Sequence, residues 1–555
     1  MPALFNLFFF KIVYDAVTIR LFQLSKLIDA EKPTSIFIYN TKEYPFGTSE
    51  TAPYLFFDNG ESIYSHLLAL NGWNVPIVML PTMSRPEGPP TQGEPPRSVL
   101  SGMKKKIMGW LEGYPNLSYF VLAVKRDGLH GLSSEIKSRL KNAHVLLVGA
   151  GYNWDECKEQ LTVEGIGPII RIQDDLKYWI DQKHVTPTDY EALKTSWEEL
   201  RSDPTFRRSL VWNGIDFLPV LEERIRYMIE QLTPVCLSVY QKYSRMIKAR
   251  GVKALAASTL STCIGHSVSK AAQNARIPVI TWQHGAYGAA PNPMLSYNDL
   301  MSSDVYFTFG VGVVKRFTAS AKRWGTILTP IGSAMLDQSL GGSCPPNTTK
   351  LLLGKKTVLY ITTNYYQNDY YVHLPPAFSD NRFWRVQSAI LDALGHNNDC
   401  DIIVKYHPNP IYRAPPLHSY AQEKGLNNCR FLKDESFTEL LQIADIIVID
   451  WPSTTLLQAL TTSKPIFVYT GHHDLDKETE TLLKRRAYCF SDTDGLKKSL
   501  DLFLKSNKLD VEVDLKDMEF LKMYGTYLGD GKSCIRAANT LIKIINGFEG
   551  NAIRK

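Results

Sequence analysis

Short, unbroken apolar runs that alternate with helical patterns are the feature that most constrains the fold of this chain. The clearest is Ile446 to Ile449, four β-branched residues with no polar side chain among them. A strand has this composition when both of its faces are buried, as in the middle of a parallel sheet. Similar runs, each separated from the next by a helical pattern, lie at residues 357–362, 401–406, 429–432 and 466–469. The second half of the chain is therefore predicted to be a βαβ domain with a parallel sheet.

The first half of the chain has the same alternation with more interruptions. Its predicted strands are residues 35–39, 54–57, 75–80, 119–124, 145–148, 254–257, 277–282 and 305–309. A Gly-, Ser- and Pro-containing stretch at 341–349 has the composition of a linker. We therefore expect three parts. Residues 1–340 form an N-terminal Rossmann-like domain with a helical insertion at about 155–250. Residues 341–520 form a C-terminal Rossmann-like domain. Residues 521–555 contain a C-terminal helix that can pack back on the first domain.

Composition narrows the class of protein. A chain of 555 residues is too long for one ordinary core, and 44% hydrophobic with 21% charged residues is typical of a soluble globular protein. The net charge of +6 permits contact with anionic lipid or nucleotide but does not require it. The eight cysteines include no CxxC pair, which predicts neither a zinc site nor a disulfide framework and favours a reducing, cytoplasmic setting. The apolar residues 4–22 are interrupted by charges, so we expect them to pack on the first domain, with a position on a membrane face as the alternative.

The loop after the run at 446–449 carries the first candidate site. Asp450-Trp-Pro-Ser-Thr-Thr455 stands between that run and an apolar helical pattern. Ser453, Thr454 and Thr455 place hydroxyl groups beside the free N–H groups and positive dipole end of the predicted helix, an arrangement suited to a phosphate. The alternative is that Ser453 only caps its helix. With Asp450, these three residues are predicted to bind a nucleotide.

A second candidate site follows the strand predicted at 277–282. That strand leads into Gln283-His284-Gly285, a tight turn at the edge of the sheet. Such loops line the ligand crevice of an open α/β sheet. His284 is well placed there to accept a proton, and Gly285 lets the backbone approach a ligand. The alternative is a structural histidine whose ring is satisfied by backbone groups.

Two further strand ends carry polar residues. The strand at 357–362 leads into Thr363 and Asn364, and the strand at 401–406 leads into His407-Pro408. Proline restricts the second turn and holds the histidine at the edge of the sheet, where it can donate a hydrogen bond to a phosphate. All four residues are therefore candidates for binding the nucleotide.

These motifs, in this order, resemble those of bacterial surface-polysaccharide enzymes. His407-Pro408 with Ser453-Thr454 resembles the HP and Ser/Thr motifs of enzymes that use CMP-sialic acid or CMP-Kdo. Gln283-His284-Gly285 before that pair resembles capsule synthesis proteins and the CDP-glycerol glycerophosphotransferases of teichoic acid assembly, and so does the stretch 524–533. The resemblance covers roughly residues 250–545. It implies the GT-B fold, an α/β fold of two Rossmann-like domains with parallel sheets facing a central cleft.

The resemblance also implies roles for residues. His284 would be the base or an acceptor-side residue, and the HP and Ser/Thr elements would hold the nucleotide phosphate. The acidic-acidic-glycine motif that supplies the base in bacterial sialyltransferases has no match here, and Asp58, Glu61 and Asp127 are the nearest candidates. Related enzymes that use UDP- or GDP-sugars read the ribose with a glutamate early in the corresponding helix. Residues 456–460 contain no acid, which favours a cytidine nucleotide.

The expected function is a metal-independent glycosyltransferase that moves a sugar from a cytidine-nucleotide donor of the CMP-Kdo or CMP-sialic acid type to a bacterial surface glycan. The alternatives are a CDP-glycerol-type glycerophosphotransferase, a nucleotide-sugar 2-epimerase-like isomerase and a non-catalytic partner in glycan assembly. No cofactor beyond the donor is expected. The expected partners are that donor and a glycan or lipid-linked glycan acceptor, with no nucleic acid, in the cytoplasm or at the periphery of the inner membrane.

Three other motifs are interpreted as structural or solvated. His472-His473 with nearby acids suggests a metal site, but adjacent histidines on a loop rarely bind one ion. Asp492-Thr-Asp494 lies far from the strand ends that carry the other candidates. The stretch 529–533 resembles a P-loop, but its first glycine is replaced by Thr526 and no strand precedes it.

Overall fold

The computed structural model describes residues 18, 21–22, 24–39, 75–80, 145–174, 179, 185–212, 214–285, 288–290, 294–340, 355–365, 380–408 and 416–548. By its internal contacts the chain divides into two compact units. The first contains Met1–Gly151, Gly165–Val279 and Ile544–Lys555, and the second contains Tyr152–Glu164 and Ile280–Lys543.

The C-terminal half forms a six-stranded sheet within the second unit. Its strands are β11 (Lys356–Ile361), β12 (Cys400–Lys405), β13 (Cys429–Leu432), β14 (Ile446–Ile449), β15 (Ile466–Tyr469) and β16 (Tyr488–Phe490). They lie in the order β13-β12-β11-β14-β15-β16, and all five ladders are parallel. Counted within the sheet this is the order 3-2-1-4-5-6, that of a doubly wound Rossmann fold. The direction of winding reverses between β11 and β14, which is the topological switch point.

The apolar runs of the sequence form the core of this sheet. All four residues of β14 and all four of β15 are buried. A helix on one face, Asp380–Gly395, buries Ile390, Leu391 and Leu394 against strand residues such as Ile402 and Val448. Burial of a large aliphatic side chain contributes about 1.5–3 kcal/mol, so the continuous runs both select and stabilise central strands.

The other six-stranded sheet comes first along the chain and has the order β10-β9-β8-β7-β3-β4. It is called the first sheet below, and the C-terminal sheet is called the second. Its strands are β3 (Val145–Val148), β4 (Ile169–Ile172), β7 (Ala254–Ala257), β8 (Val279–Trp282), β9 (Val305–Thr308) and β10 (Ile327–Pro330). Each ladder with a defined register is parallel. Two small sheets complete the described strands: β1 (Ile36–Tyr39) with β2 (Ile77–Leu80), and β5 (Val211–Trp212) with β6 (Ile215–Asp216). The expected α/β class with two parallel sheets is confirmed.

Helices connect the strands. Through the first six-stranded sheet they are α1 (Asn153–Glu156), α2 (Lys158–Val163), α3 (Pro187–Ser202), α4 (Pro204–Ser209), α5 (Leu218–Tyr227), α6 (Thr233–Arg250), α7 (Cys263–Asn274), α8 (Met294–Asn298), α9 (Val311–Trp324) and α10 (Ala334–Leu340). In the later part they are α11 (Asp380–Gly395), α12 (Leu417–Glu423), α13 (Phe437–Ile443), α14 (Thr454–Leu460), α15 (Lys477–Lys484), α16 (Thr493–Ser506), α17 (Glu519–Leu521) and α18 (Ser533–Phe548). Met228–Leu232 and Lys522–Thr526 are π-helical turns, and Leu300–Ser302 is a 3₁₀ turn.

Several expectations differ from this structure. Residues 155–250 are expected to be mostly helical, and their described part is, but it also contains the edge strand β4 and the β5–β6 hairpin. The π turn Met228–Leu232 lies between α5 and α6. The strands predicted at 54–57 and 119–124 lie outside the described residues.

The expectation of no disulfide is wrong for one pair of cysteines. Cys157, between α1 and α2, is bonded to Cys534 in the first turn of α18. The two cysteines are separated by 377 residues, so their proximity is a product of the tertiary fold and leaves no local spacing signal. No helix among the residues that the structure describes combines the length and the apolarity that a bilayer crossing needs.

Candidate functional site

The switch point of the second sheet brings two of the predicted site residues together. Thr363 lies in the loop after β11, and Asp450 lies in the loop after β14. The Thr363 N–H donates to Asp450 Oδ1 over 2.7 Å. Connections leave these two strands in opposite directions, which opens a crevice at their carboxyl ends. The loops predicted to bind the ligand therefore meet at the place where an open α/β sheet binds one.

Asp450 lies beneath this crevice. It is 1% exposed, and its Oδ2 accepts hydrogen bonds from the Tyr360 hydroxyl over 3.1 Å and from Gln387 Nε2 over 2.9 Å. Burial raises the pKa of Asp450 to about 7, although these hydrogen bonds and the one from Thr363 lower it. A carboxyl group so enclosed fixes the two loops relative to each other. Asp450 therefore joins the two loops, and its predicted contact with the nucleotide stays a prediction.

The loop after β11 is fixed by its backbone. Besides the bond from Thr363 N–H to Asp450, the Thr363 carbonyl accepts from Gln387 Nε2 over 2.9 Å. Thr363 and Asn364 are both buried. Gln387, on α11, thereby joins both loops, and Tyr360 and Gln387 are functional candidates that sequence reasoning missed. Tyr360 could have been found from the sequence, because it places a hydroxyl among the apolar residues at the end of β11 and a buried hydroxyl requires a partner.

The hydroxyl cluster begins helix α14 but does not cap it. Ser453 stands at the N-cap position, yet its side chain makes no capping hydrogen bond. Its Oγ is instead 3.1 Å from Thr455 Oγ1, with both side chains half-buried. Thr454 is the first helical residue and is also half-buried. The alternative in which Ser453 serves only as a cap is therefore wrong.

His407 and Pro408 follow β12, the strand next to β11, and both are exposed. The pKa of His407 is lowered, first by desolvation and then by the positive charges of Lys405 and Lys433. Lys405 is itself buried and donates to the backbone carbonyls of Tyr406 and Lys433. The carboxyl edge of β12 therefore has a positive local potential, which favours an anion.

The loop with His284 is fixed by its neighbour Gln283. Gln283 is fully buried, donates through Nε2 to the Gly285 carbonyl over 2.6 Å and accepts at Oε1 from Phe309 N–H over 2.9 Å. Its carbonyl accepts from Asn153 Nδ2 over 2.9 Å. His284 is half-buried, with its ring centroid 5.9 Å from that of Tyr152. Gln283 thus holds the turn while His284 remains partly accessible.

Asn153 is a second residue that sequence reasoning missed. It is fully buried at the start of α1, after β3. Its Oδ1 accepts from the Ser333 hydroxyl over 3.0 Å and from Met335 N–H over 3.2 Å, while its Nδ2 supports Gln283. The Asn153 amide donates through Nδ2 and accepts at Oδ1 at once, so it can join the Gln283 carbonyl to an N–H and a hydroxyl donor. Its position after a strand end was the available signal.

The adjacent histidines pack on Trp451, in the loop after β14. The ring centroid of His473 lies 4.3 Å from that of Trp451, and that of His472 lies 5.8 Å from it. Burial lowers the pKa of His473 to about 4. Burial, together with the charges of Arg382 and His473, lowers the pKa of His472 to about 3. Both imidazoles are neutral at pH 7, and both pack against the Trp451 ring.

Asp58, Glu61 and Asp127 lie outside the described residues, so their predicted roles stay predictions. Asp492, from the DxD motif, accepts from Gly495 N–H over 2.6 Å as the N-cap of α16. Among the described residues, no three His, Cys, Asp or Glu side chains are grouped so that they could hold a metal ion.

A family model described as LIC12162 family transferase matches residues 171–485, which is more than half of the chain. No curated protein sequence matches the chain significantly.

Solved structures of several kinds are similar to this one at low identity. A UDP-GlcNAc 2-epimerase from Neisseria meningitidis bound to UDP-GlcNAc is 12% identical over 72% of this chain and 99% of its own, with a TM-score of 0.42. The wall teichoic acid polymerase TagF is 12% identical over 81% of this chain and 99% of its own, with a TM-score of 0.38. A sucrose-phosphate synthase from Thermosynechococcus elongatus is 10% identical over 73% and 99%, with a TM-score of 0.39.

Proposed function

Because the chain belongs to the LIC12162 family of transferases, we propose that the group it transfers is a sugar carried by a cytidine nucleotide. The proposed donor is of the CMP-Kdo or CMP-sialic acid type, and the proposed acceptor is a bacterial surface glycan or its lipid-linked form. The proposed reaction needs no metal ion and no cofactor beyond the donor. The proposed location is the cytoplasm or the periphery of the inner membrane.

One observation carries this proposal: polar loops follow three adjacent strands of one Rossmann-like sheet. β12, β11 and β14 are neighbours and lead into His407, Thr363 and Ser453 respectively. Carboxyl ends of neighbouring parallel strands share one edge of the sheet, so these groups are available to a single ligand. The positive potential at His407 and the hydroxyls at α14 favour a phosphate as that ligand.

In the proposed reaction an acceptor hydroxyl attacks the anomeric carbon of the donor sugar. The new carbon–oxygen bond forms as the bond from that carbon to the phosphate oxygen breaks, and the phosphate of CMP leaves with the electron pair. His284 takes the proton of the acceptor hydroxyl. His407, Ser453 and Thr454 stabilise the charge that develops on the leaving phosphate. The lowered pKa of His407 favours the neutral ring in the empty site, and the negatively charged phosphodiester of the bound donor raises that pKa again.

The donor class follows from the helix that begins at the site. Helix α14, Thr454–Leu460, contains no acidic residue to accept a hydrogen bond from the ribose hydroxyls. We therefore expect CMP or CDP to stabilise the protein more than UDP or GDP does. A ligand at about 100 times its dissociation constant adds roughly 2.7 kcal/mol to the free energy of unfolding.

The experiment is a thermal-shift panel with CMP, CDP, UDP and GDP, followed by transfer assays with the donors of the stabilising nucleotides. Larger shifts with UDP or GDP would overturn the donor assignment. Transfer of glycerol phosphate from CDP-glycerol without transfer from a CMP-sugar would replace the proposed reaction with that of a glycerophosphotransferase. The absence of a shift with every nucleotide would contradict the proposed function as a whole.

A further inference from the structure

Arg316 makes polar contacts in two directions from the middle of α9. Its Nε donates to the carbonyl of Gly288 over 3.1 Å. Its Nη2 forms an ion pair with Asp476 and donates to the Thr479 hydroxyl over 3.2 Å. The side chain of Arg316 is 17% exposed and that of Asp476 is 48% exposed, so water screens the ion pair in part.

On one side, Arg316 contacts the loop that carries His284. Gly288 follows Gly285 by three residues and packs against α9 so closely that a Cβ would collide with the Val313 side chain. Its carbonyl is therefore held in place by packing as well as by the hydrogen bond from Arg316. A change in the position of Arg316 would shift Gly288, which the chain connects to Gly285 through two residues.

On the other side, Arg316 contacts the start of α15, a helix of the sheet proposed to bind the nucleotide. Asp476 caps α15, which follows β15, by accepting from Thr479 N–H over 2.8 Å. The Thr479 hydroxyl donates to Asp476 and lies 2.7 Å from the Tyr524 hydroxyl. Burial acts to raise the pKa of Asp476, but the Thr479 hydrogen bonds and Arg316 outweigh it and lower that pKa. Asp476 is therefore a carboxylate at neutral pH and a fixed partner for the guanidinium.

We infer that Arg316 is a positioning residue that sets the place of His284 relative to the nucleotide-binding sheet. The expected effect on catalysis rests on the proposed function, because only there is His284 the group that takes the proton of the acceptor. A planar guanidinium can bind the Gly288 carbonyl and Asp476 simultaneously, whereas a lysine ammonium reaches one of them at a time. A misplacement of about 1 Å in a reacting group can cost about 100-fold in rate.

The decisive variant is Arg316→Lys, compared with Arg316→Ala and with Lys315→Ala as the matched control. Lys315 lies beside Arg316 on α9 and pairs with Glu478 over 3.7 Å, but both side chains are largely exposed and the pair contributes little. We expect Arg316→Lys to keep the charge pair with Asp476, the melting temperature and a nucleotide affinity within about twofold of the wild type. We expect its kcat to fall by about 10–100-fold, as in Arg316→Ala, while Lys315→Ala keeps the wild-type kcat. A wild-type kcat in Arg316→Lys would overturn the inference.

Hydrogen exchange tests the same link without any substrate. The amides of the 283–288 loop should exchange faster in Arg316→Lys and Arg316→Ala than in the wild type and in Lys315→Ala. Equal exchange in all four proteins would overturn the inference. Faster exchange with an unchanged kcat would show a purely structural role and overturn it too. If the wild type transfers no sugar from any donor, the proposed function fails, whereas the exchange rates still decide whether Arg316 holds the loop.

Discussion

At the scale of single residues, Asp450 shows how one buried carboxyl group can hold two loops together. Its carboxyl group accepts from Thr363, Tyr360 and Gln387, which ties two loops and a helix to one point. The arrangement has a cost, because desolvation disfavours the carboxylate and raises its pKa to about 7. The site is therefore held by a group that titrates near neutral pH.

This titration predicts a pH-dependent stability. An unfolded aspartate has a pKa of about 3.9, so between roughly pH 4 and pH 7 the folded protein keeps a proton that the unfolded chain has lost. The contribution of Asp450 to the free energy of unfolding is therefore fully present below about pH 4 and is lost as the pH rises through 7. Asp450→Asn lacks this dependence. Urea unfolding of both proteins at pH 5 and pH 8 should show the wild type losing stability relative to the variant at pH 8. A constant difference, or one of the opposite sign, would mean that Asp450 stays ionised in the folded protein.

At the scale of elements, helix α14 begins at the predicted phosphate site without a side-chain cap. Ser453 leaves the first N–H groups of α14 without the bond that a cap would supply, whereas Asp492 caps α16. Uncapped N–H groups beside hydroxyls suit a phosphate, since the ligand can supply the missing acceptor. We therefore expect Ser453 to serve nucleotide binding at the start of α14, and Asp492 to serve the stability of the protein at the start of α16.

Parallel alanine variants test this separation. Ser453→Ala should change the free energy of unfolding by less than about 0.5 kcal/mol, because no capping bond is lost, and should weaken nucleotide binding. Asp492→Ala should cost about 0.5–2 kcal/mol through loss of its cap and leave nucleotide binding unchanged. Denaturant titration and calorimetry on both variants give the two numbers. A stability loss in Ser453→Ala as large as that in Asp492→Ala would restore the capping interpretation.

Most elements that the sequence predicts well are those with both faces buried. β14 and β15 occupy the residues predicted for them, and the ends of β11 and β12 differ by one residue. β13 is the exception, an edge strand with no fully buried residue that lies where it was predicted. The strands that were missed are edge strands: β10 and β16 have no fully buried residue, and in β4 buried positions alternate with half-buried ones. The same reasoning found the loops after central strands but not Asn153 or Gln387, whose roles depend on partners more than 60 residues away.

At the scale of the whole molecule, the site of the second sheet is assembled from uncharged donors, a helix start and local lysines. In the proposed site, His407 and the hydroxyls of Ser453 and Thr454 would contact a phosphate, whereas the buried Lys405 donates to two backbone carbonyls and would act through its charge alone. A transferase built in this way places the electrostatic stabilisation in protein groups. The disulfide from Cys157 to Cys534 belongs to the same scale, because only the complete fold brings the start of α18 to the helices after β3.

This arrangement predicts that turnover persists without divalent cations. Wild-type protein treated with EDTA should keep its transfer rate, since the leaving phosphate is neutralised by protein groups. Re-addition of Mg²⁺ or Mn²⁺ provides the control and should change the rate little. A strict requirement for either ion would mean that the phosphate site has been misassigned.

The most direct test of the account is calorimetric titration of the preferred nucleotide into His284→Ala and His407→Ala, each beside a turnover assay. His284→Ala should lower kcat by about 10²–10⁴-fold and leave the dissociation constant nearly unchanged, because it removes only the acceptor of the proton. His407→Ala should weaken binding by about 1.5–3 kcal/mol, the contribution of one hydrogen bond to a charged group. His396→Ala, at an exposed histidine just beyond the C-terminal end of α11, is the matched control and should match the wild type in both measurements. Loss of nucleotide binding in His284→Ala with normal binding in His407→Ala would reverse the assigned roles, and full activity in both variants would contradict the account.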